Sequence, residues 1–313
     1  MHSALITGGQ GFIGGYLADE LRRRGVRVTT IGRRPSRDPS HVVLDDVAWT
    51  EPFLDKVLED AMPDCIFHLA GQVHGSASEL ARVNTDLAQA LLDALRRTGR
   101  RPRLIVAGSA AEYGASIKDG EPVRETLPCA PKSAYGMNKY AQTQAVLAFA
   151  EATGIQVTVA RIFNVFGPNM PTHLAIGDFV SQIASMHEGR GTLNVGNINV
   201  RRDMIDVEDV ARVLCDLAVH PDAGGVVNVC SGKAPLLREL VEMLIACSGR
   251  SVKIEVDWAR IRGNEPQTIV GSIERLAKLG CASVTTDFAG VIGRICRSMG
   301  DATAQSSSEP SSA

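Results

Sequence analysis

Tyr135 and Lys139 stand four residues apart in "SAYGMNKYAQTQAVLAFAEATG", residues 133–154. Ala, Leu, Val and Phe recur there at helical spacing and Gly154 supplies a stop, so the spacing predicts a helix that carries a phenol and an ammonium on one face. On a solvated helix such a pair is often accidental. The chemistry it can do is proton transfer. A phenol titrates near about 10 and is a poor acid–base group at neutral pH, and a neighbouring ammonium is expected to pull it down.

A second pattern points to a cofactor. "ALITGGQGFIGGYLADEL" sets Gly8, Gly11 and Gly14 in a G-x-x-G-x-x-G array, with Phe12 and Ile13 inside it. The array begins where a strand ends and opens a helix. In that context glycines let backbone N–H groups approach a pyrophosphate, and the helix N-terminus favours its charge. An NAD site usually carries an acid after the second strand, for the ribose hydroxyls. Here "VRVTTI" runs into Gly32, Arg33 and Arg34. Two guanidiniums where an acid would stand favour the 2′-phosphate of NADP, with NAD remaining possible. Asp45, or Asp46 beside it, closes the third strand and is a candidate for the adenine.

These residues need a scaffold, and the order of elements supplies one. Runs rich in β-formers at 4–7, 27–31, 41–45, 65–70, 103–109 and 156–163 alternate with helical patterns at 13–24, 51–61, 79–98 and 133–154. Such alternation predicts an α/β fold of the Rossmann type, a doubly wound parallel sheet covered on both faces. Beyond residue 165 the rhythm changes, with helices expected at 177–188, 207–219, 235–247 and 272–279. This predicts a dinucleotide-binding domain over 1–165, a smaller substrate lobe over 166–300 and a Ser-rich disordered tail over 301–313. The apolar "GGVVNVCSG" (224–232) is expected to rejoin the sheet.

Composition excludes several classes. The chain has 313 residues, 44% apolar and 22% charged, with net charge −2, which suits a globular protein and argues against nucleic acid as a partner. "RRTGRRPR" (96–103) reads as a solvated helix C-terminus. The seven cysteines show neither a C-x-x-C pair nor His/Cys metal spacing, so no metal is expected and a reducing, cytoplasmic setting fits. No secretion signal and no bilayer-spanning run are read, hence no membrane partner.

With the glycine array, "HLAGQV", "AGSAAEYG", the Tyr-x-x-x-Lys helix and "RIFNVFGPN" in that order, the sequence resembles the extended short-chain dehydrogenase/reductase family over residues 3–285. The resemblance implies a catalytic set of Ser109, Tyr135 and Lys139, with Ser109 ending the fifth strand. It implies that Leu69, Ala70, Gly71 and Asn84 stand near the cofactor, and that Lys139 binds the nicotinamide ribose. Tyr135 would give a proton to a carbonyl oxygen as hydride arrives, and Ser109 would hydrogen-bond that oxygen. The lobe resembles that of reductases of GDP-linked 4-keto-6-deoxy sugars. By that likeness Ser109, Ala110 and Glu112 touch substrate, and Asn164, Arg202 and Arg262 contact its diphosphate. Family dehydratases carry acids where this chain has Ala110 and Ala111, and two-centre epimerases carry a Cys and a His where it has Ala110 and Asn169. What remains is reduction of a 4-keto nucleotide sugar, GDP-linked by preference, or 4-epimerisation with tightly held NAD. A non-catalytic nucleotide sensor is the alternative from another class. A homodimer through a four-helix bundle is implied as well.

Overall fold

Strand β1 (Ser3–Thr7) is buried along its whole length, and successive residues serve opposite faces. Ile6 joins one core cluster and Leu5 the other. A strand buried on both sides must be covered by helices on both sides, and that is the architecture of the chain. The computed structural model describes residues 1–44, 51–186, 189–261, 263, 265–281, 284 and 286–306. The main sheet has seven strands, in spatial order β12 (Gly225–Val229), β7 (Val157–Ile162), β5 (Arg103–Ser109), β4 (Cys65–His68), β1, β2 (Arg27–Gly32) and β3 (His41–Val43). Every neighbouring pair is parallel.

On one face α1 (Phe12–Arg23) and α7 (Val207–Val219) bury Leu17, Leu21, Val210 and Leu214 against Ile6 and Phe67. On the other, α2 (Glu51–Ala61), α4 (Leu87–Thr98) and α5 (Ala134–Thr153) bury Leu54, Leu58, Leu91, Leu95, Val146 and Phe149 against Leu5, Ile66 and Leu104. Strand order reverses between β1 and β4. Ligands of such sheets bind outside the carboxyl ends of the strands at that reversal, and Gly8 and Leu69 follow directly on those two strand ends.

The remaining elements form a second core around Phe166, Phe179, Leu193, Leu240 and Ile292. They include β8 (Asn164–Phe166) paired with β11 (Met204–Asp206), and β9 (Arg190–Val195) paired with β13 (Ser251–Val256). A small sheet of β10 (Arg201–Arg202), β14 (Thr268–Gly271) and β6 (Pro122–Val123) joins them. Helices α6 (Ala175–Ala184), α8 (Leu237–Ser248) and α10 (Phe288–Ser306) complete that core, whereas α9 (Glu274–Lys278) sends Leu276 into the core of the main sheet.

Two expectations need correction. The helix read as continuous over 79–98 consists of α3 (Ala77–Ala81), a π-helical turn over Arg82–Asp86, and α4. The wide turn seats the buried Asn84, a tertiary demand that periodicity does not reveal. Helix α10 runs through Ser306, into the segment from residue 301 expected to be a disordered tail. "DATAQ" has neither Pro nor Gly, and its Ala and Gln propagate an existing helix easily. Residues 307–313 lie outside the described residues. Among the described residues no helix is long and apolar enough to cross a membrane.

His68 ends β4 fully buried, with Nδ1 2.9 Å from Thr7 Oγ1. Burial, and secondarily the Lys139 charge, push its pKa down to about 3. The unfolded imidazole takes a proton near about 6.5. Between those values the unfolded chain binds the extra proton, so stability is expected to fall as pH drops through that window. Melting temperatures followed from about pH 7.5 to about pH 5 should decline, and His68→Gln should flatten the decline. Identical slopes for the two proteins would refute this.

Candidate active site

The glycine array closes the end of β1 against the end of β4. Gly8 N donates to Ile31 O at 3.0 Å and Gly11 N donates to Gly8 O at 2.9 Å. Gly8 has φ +73°, and a Cβ there would lie 2.9 Å from Ala70 N. A Cβ on Gly14 would lie 2.2 Å from Gly8 O. These two positions therefore demand glycine, and the crevice they open suits a dinucleotide pyrophosphate. Gly11 caps α1 without a side-chain acceptor. Phe12 and Ile13 form its first turn and pack toward the lobe core and the sheet core respectively.

Gln10 ties this array to the end of β2, a role its sequence position does not announce. Its Nε2 donates to Arg34 O at 2.7 Å, its Oε1 accepts from Arg34 N at 3.2 Å, and its backbone oxygen accepts from Arg34 Nη2 at 2.9 Å. The Arg34 side chain thus reaches back to the glycine array, Arg33 makes no such contact, and both residues are exposed. Asp45 and Asp46 lie outside the described residues.

Ser109 ends β5 and caps the 3₁₀ turn Ala110–Glu112. Ser133 caps α5, accepting from Gly136 N at 3.0 Å. These caps bring Ser109 and Tyr135 together, close enough for the Ser109 hydroxyl to act on the phenol. Burial nevertheless raises the Tyr135 pKa, with the Glu112 charge acting the same way and Ser109 opposing. The expected lowering by Lys139 is not what sets the phenol here. The ammonium is buried and engaged elsewhere, donating to Ala107 O at 2.9 Å and to Gln142 Oε1 at 3.1 Å. Burial pulls the Lys139 pKa down to about 8, and Glu112 resists.

The segment after β4 lies on this lysine. A Cβ on Gly71 would stand 3.1 Å from Asn84 Oδ1 and 3.2 Å from Lys139 Nζ. Asn84 pins the segment: Nδ2 donates to Gln72 O at 2.8 Å and to Leu80 O at 3.0 Å, and Oδ1 accepts from Gln72 N at 3.0 Å. Leu69, Ala70, Gly71, Asn84 and Lys139 are therefore contiguous.

On the substrate side the expectations divide. Ala110 is half-buried beside Ser109. Glu112, expected to touch substrate, is fully buried, and its carboxylate accepts from Ser109 N, Thr143 and Arg161, so it faces the interior. Asn164 donates from Nδ2 to Asp203 O at 2.9 Å and is exposed at its backbone strand end. Arg202 adjoins it, with Nη2 3.0 Å from Glu265 Oε2 and Nη1 donating to Pro266 O at 3.0 Å. Its partners are thus on the 265–267 segment, rather than Asp203 or Asp206. Arg262 lies outside the described residues. Asp203 beneath them is buried and accepts from Ser231 N, Ser231 Oγ, Gly232 N and Gly271 N at 2.8–3.0 Å. Gln10, Asp203, Thr143 and Arg161 were not legible as site residues, because each acts through partners distant in sequence.

A hydroxyl pair over a buried lysine, at the reversal point of a parallel sheet with a glycine cradle, is a dinucleotide enzyme's arrangement. Residues 4–230 match the model of the NAD dependent epimerase/dehydratase family. The chain belongs to that family. Membership makes it an NAD(P)-dependent enzyme of the nucleotide-sugar-modifying kind. It is 34% identical over 222 residues to GDP-6-deoxy-D-mannose reductase of Pseudomonas aeruginosa, covering 69% of this chain and 73% of that one. It is 31% identical over 255 residues to dTDP-6-deoxy-L-talose 4-dehydrogenase (NAD(P)(+)) of Kitasatospora kifunensis, covering 80% of each. Among solved structures, RMD from Pseudomonas aeruginosa complexed with NADPH superposes with a TM-score of 0.79 at 27% identity, over 96% of this chain and 100% of that one.

Proposed function

We propose that this enzyme reduces the 4-keto group of a nucleotide-linked 4-keto-6-deoxy sugar, with GDP-4-keto-6-deoxy-D-mannose converted to GDP-D-rhamnose. The single observation that carries this is the Ser109–Tyr135 hydroxyl pair beside Lys139, with alanines at 110 and 111 and the nearest carboxylate, Glu112, turned into the core. That arrangement can exchange a proton with one oxygen, and those alanines cannot assist loss of water. The relatives that reduce or oxidise a 6-deoxy sugar at one carbon support the substrate class.

The cradle left by Gly8 and Gly14 fits a dinucleotide, and NADPH when bound supplies the hydride. Tyr135 donates its proton to the carbonyl oxygen, and Ser109 donates a hydrogen bond to the same oxygen as charge builds on it. Lys139, held by Ala107 O, presents a fixed cation beside Gly71, where ribose hydroxyls can be bound. In this reading Asn164, Arg202 and Arg262 bind the diphosphate of the substrate.

A second reading is a 4-epimerase with retained NAD, since Arg34 is bonded to Gln10 and leaves Arg33 alone to select a 2′-phosphate. Pure protein mixed with NADPH and GDP-4-keto-6-deoxy-D-mannose separates the two. Stoichiometric loss of reduced-nicotinamide absorbance supports reduction. Interconversion of 4-epimers without net oxidation supports the epimerase, and no change with either supports a nucleotide sensor.

We also propose a homodimer formed by α4 and α5. Met137 is 54% exposed on α5, and Ala141, Gln144 and Ala148 are exposed on the same face, an uncharged surface of mostly small side chains suited to a helix bundle. Sedimentation at micromolar concentration should give the dimer mass, and a monomer alone would refute it.

A further inference from the structure

The carboxylate of Glu112 is buried where no substrate can reach it, yet it lies at the junction of every element that carries the reactive side chains. Oε1 accepts from Ser109 N at 2.8 Å, holding the strand end that presents the Ser109 hydroxyl. Oε2 accepts from Thr143 Oγ1 at 2.9 Å, one turn beyond Lys139 on α5. The same oxygen accepts from Arg161 Nε at 2.8 Å, from β7. Arg161 stacks over the Tyr113 ring at 4.6 Å, and Tyr113 OH donates to Asn228 Oδ1 of β12 at 2.6 Å. Gly108 leaves room for the acid, since a Cβ there would lie 2.7 Å from Glu112 Oε1.

Taking a carboxylate and a guanidinium out of water is costly, and apolar residues of similar volume often do as well for stability. A pair retained at the base of a reactive site therefore calls for a role besides packing. We propose that Glu112 is a positioning residue that fixes the Ser109 turn to α5, with its carboxylate held behind the Tyr135–Lys139 pair. This rests on the reading of that pair as the proton donor.

The direction follows from elementary electrostatics. A negative charge favours the protonated form of any group nearby. Glu112 acts so on Tyr135, which must be protonated to reduce a carbonyl, and on Lys139, where it opposes the downward pull of burial. The titratable and charged groups facing the carboxylate are Arg161 from β7, Tyr113 from its own turn, Tyr135 and Lys139 from α5, and Cys129 from the segment after β6. Arg161 compensates the burial of the acid while stacked on Tyr113. Glu112 thereby biases the site toward an acid ready to donate, the state that a reductase needs at its start.

Glu112→Gln keeps the shape and one acceptor and removes the charge. The alkaline limb of kcat/KM for carbonyl reduction is expected to move down by about half a pH unit or more. Thr143→Val cuts the tie to α5 but keeps the charge, so turnover should fall with the limb unmoved. Phenolate absorbance supplies a readout independent of the reaction. The titration difference between wild type and Tyr135→Phe, repeated in the Glu112→Gln background, should show Tyr135 titrating at lower pH. If Glu112→Gln leaves Arg161 uncompensated and does not fold, the double change Glu112→Gln/Arg161→Gln removes both buried charges and should show a smaller downward shift, since loss of the guanidinium charge opposes it. A folded variant with unmoved limb and unmoved phenolate titration overturns the proposal. A shifted phenolate in a protein that reduces no 4-keto sugar would retain it and overturn the proposed function instead.

Discussion

Tyr135→Phe is expected to lower the rate of carbonyl reduction by roughly 10²–10⁴-fold while leaving NADPH affinity nearly unchanged. The substitution removes one oxygen. The ring stays in its place on α5, and Ser133 still caps that helix through Gly136 N, so the backbone that presents position 135 is preserved. What is lost is the proton proposed to reach the sugar oxygen, from the hydroxyl that stands beside Ser109. Water can replace neither well in a buried site, because the phenol is held in place before reaction and a water must be ordered. Cofactor fluorescence titration and steady-state rates on the same preparation separate binding from chemistry. A variant within a few-fold of wild type would remove Tyr135 from the role of donor. A variant that also loses NADPH would mean that the hydroxyl supports the cofactor site.

The fold was legible because it is encoded locally and repeatedly. Strands such as "SALIT" and "VTVARI" are buried on both faces, which leaves apolar runs readable without any partner. Helix stops at Gly99, Gly154 and Gly249 have left-handed backbones that the residue type itself signals. The glycine array was legible for the same reason, since Gly8 and Gly14 are forced by contacts within one strand–turn–helix unit and the adjoining strand end. What stayed hidden was pairwise and distant. Glu112 and Arg161 are 49 residues apart, and nothing in "AAEYG" distinguishes a carboxylate facing a substrate from one facing a guanidinium across the sheet. The family pattern pointed Glu112 outward because its neighbours in sequence are site residues. The short 3₁₀ turn after β5 instead folds its side chain back onto Ser109 N. The Tyr–Lys pair shows the other limit. Spacing places both residues on one helix face, but it does not say that Ala107 O and Gln142 take up the ammonium, so the direction of the phenol's shift followed from burial instead.

Arg33→Asp is expected to reverse a preference for NADPH over NADH, and the structure separates this residue from its neighbour. β2 ends at Gly32, where a Cβ would lie 2.6 Å from Gln10 Oε1 and 3.0 Å from His41 Cε1, so the chain turns tightly against the glycine array. Arg34 belongs to that turn, with its backbone N–H and its Nη2 both donating to Gln10. Arg33 is exposed at the place where an NAD enzyme's acid would meet the ribose. A charge-assisted contact to a 2′-phosphate contributes about 1.5–3 kcal/mol, roughly ten- to a hundredfold in affinity. An aspartate there repels the phosphate and accepts from the free hydroxyls of NAD, so both effects act in one direction. Arg34→Ala is expected to behave differently. It loosens Gln10 and the pyrophosphate loop, and should weaken both cofactors by similar factors with little change in their ratio. Ratios of kcat/KM for NADPH and NADH across wild type and the two variants test the division. Equal ratios in wild type and Arg33→Asp would show that Arg33 selects nothing. A ratio that moves only with Arg34→Ala would place the selectivity in the guanidinium now bonded to Gln10.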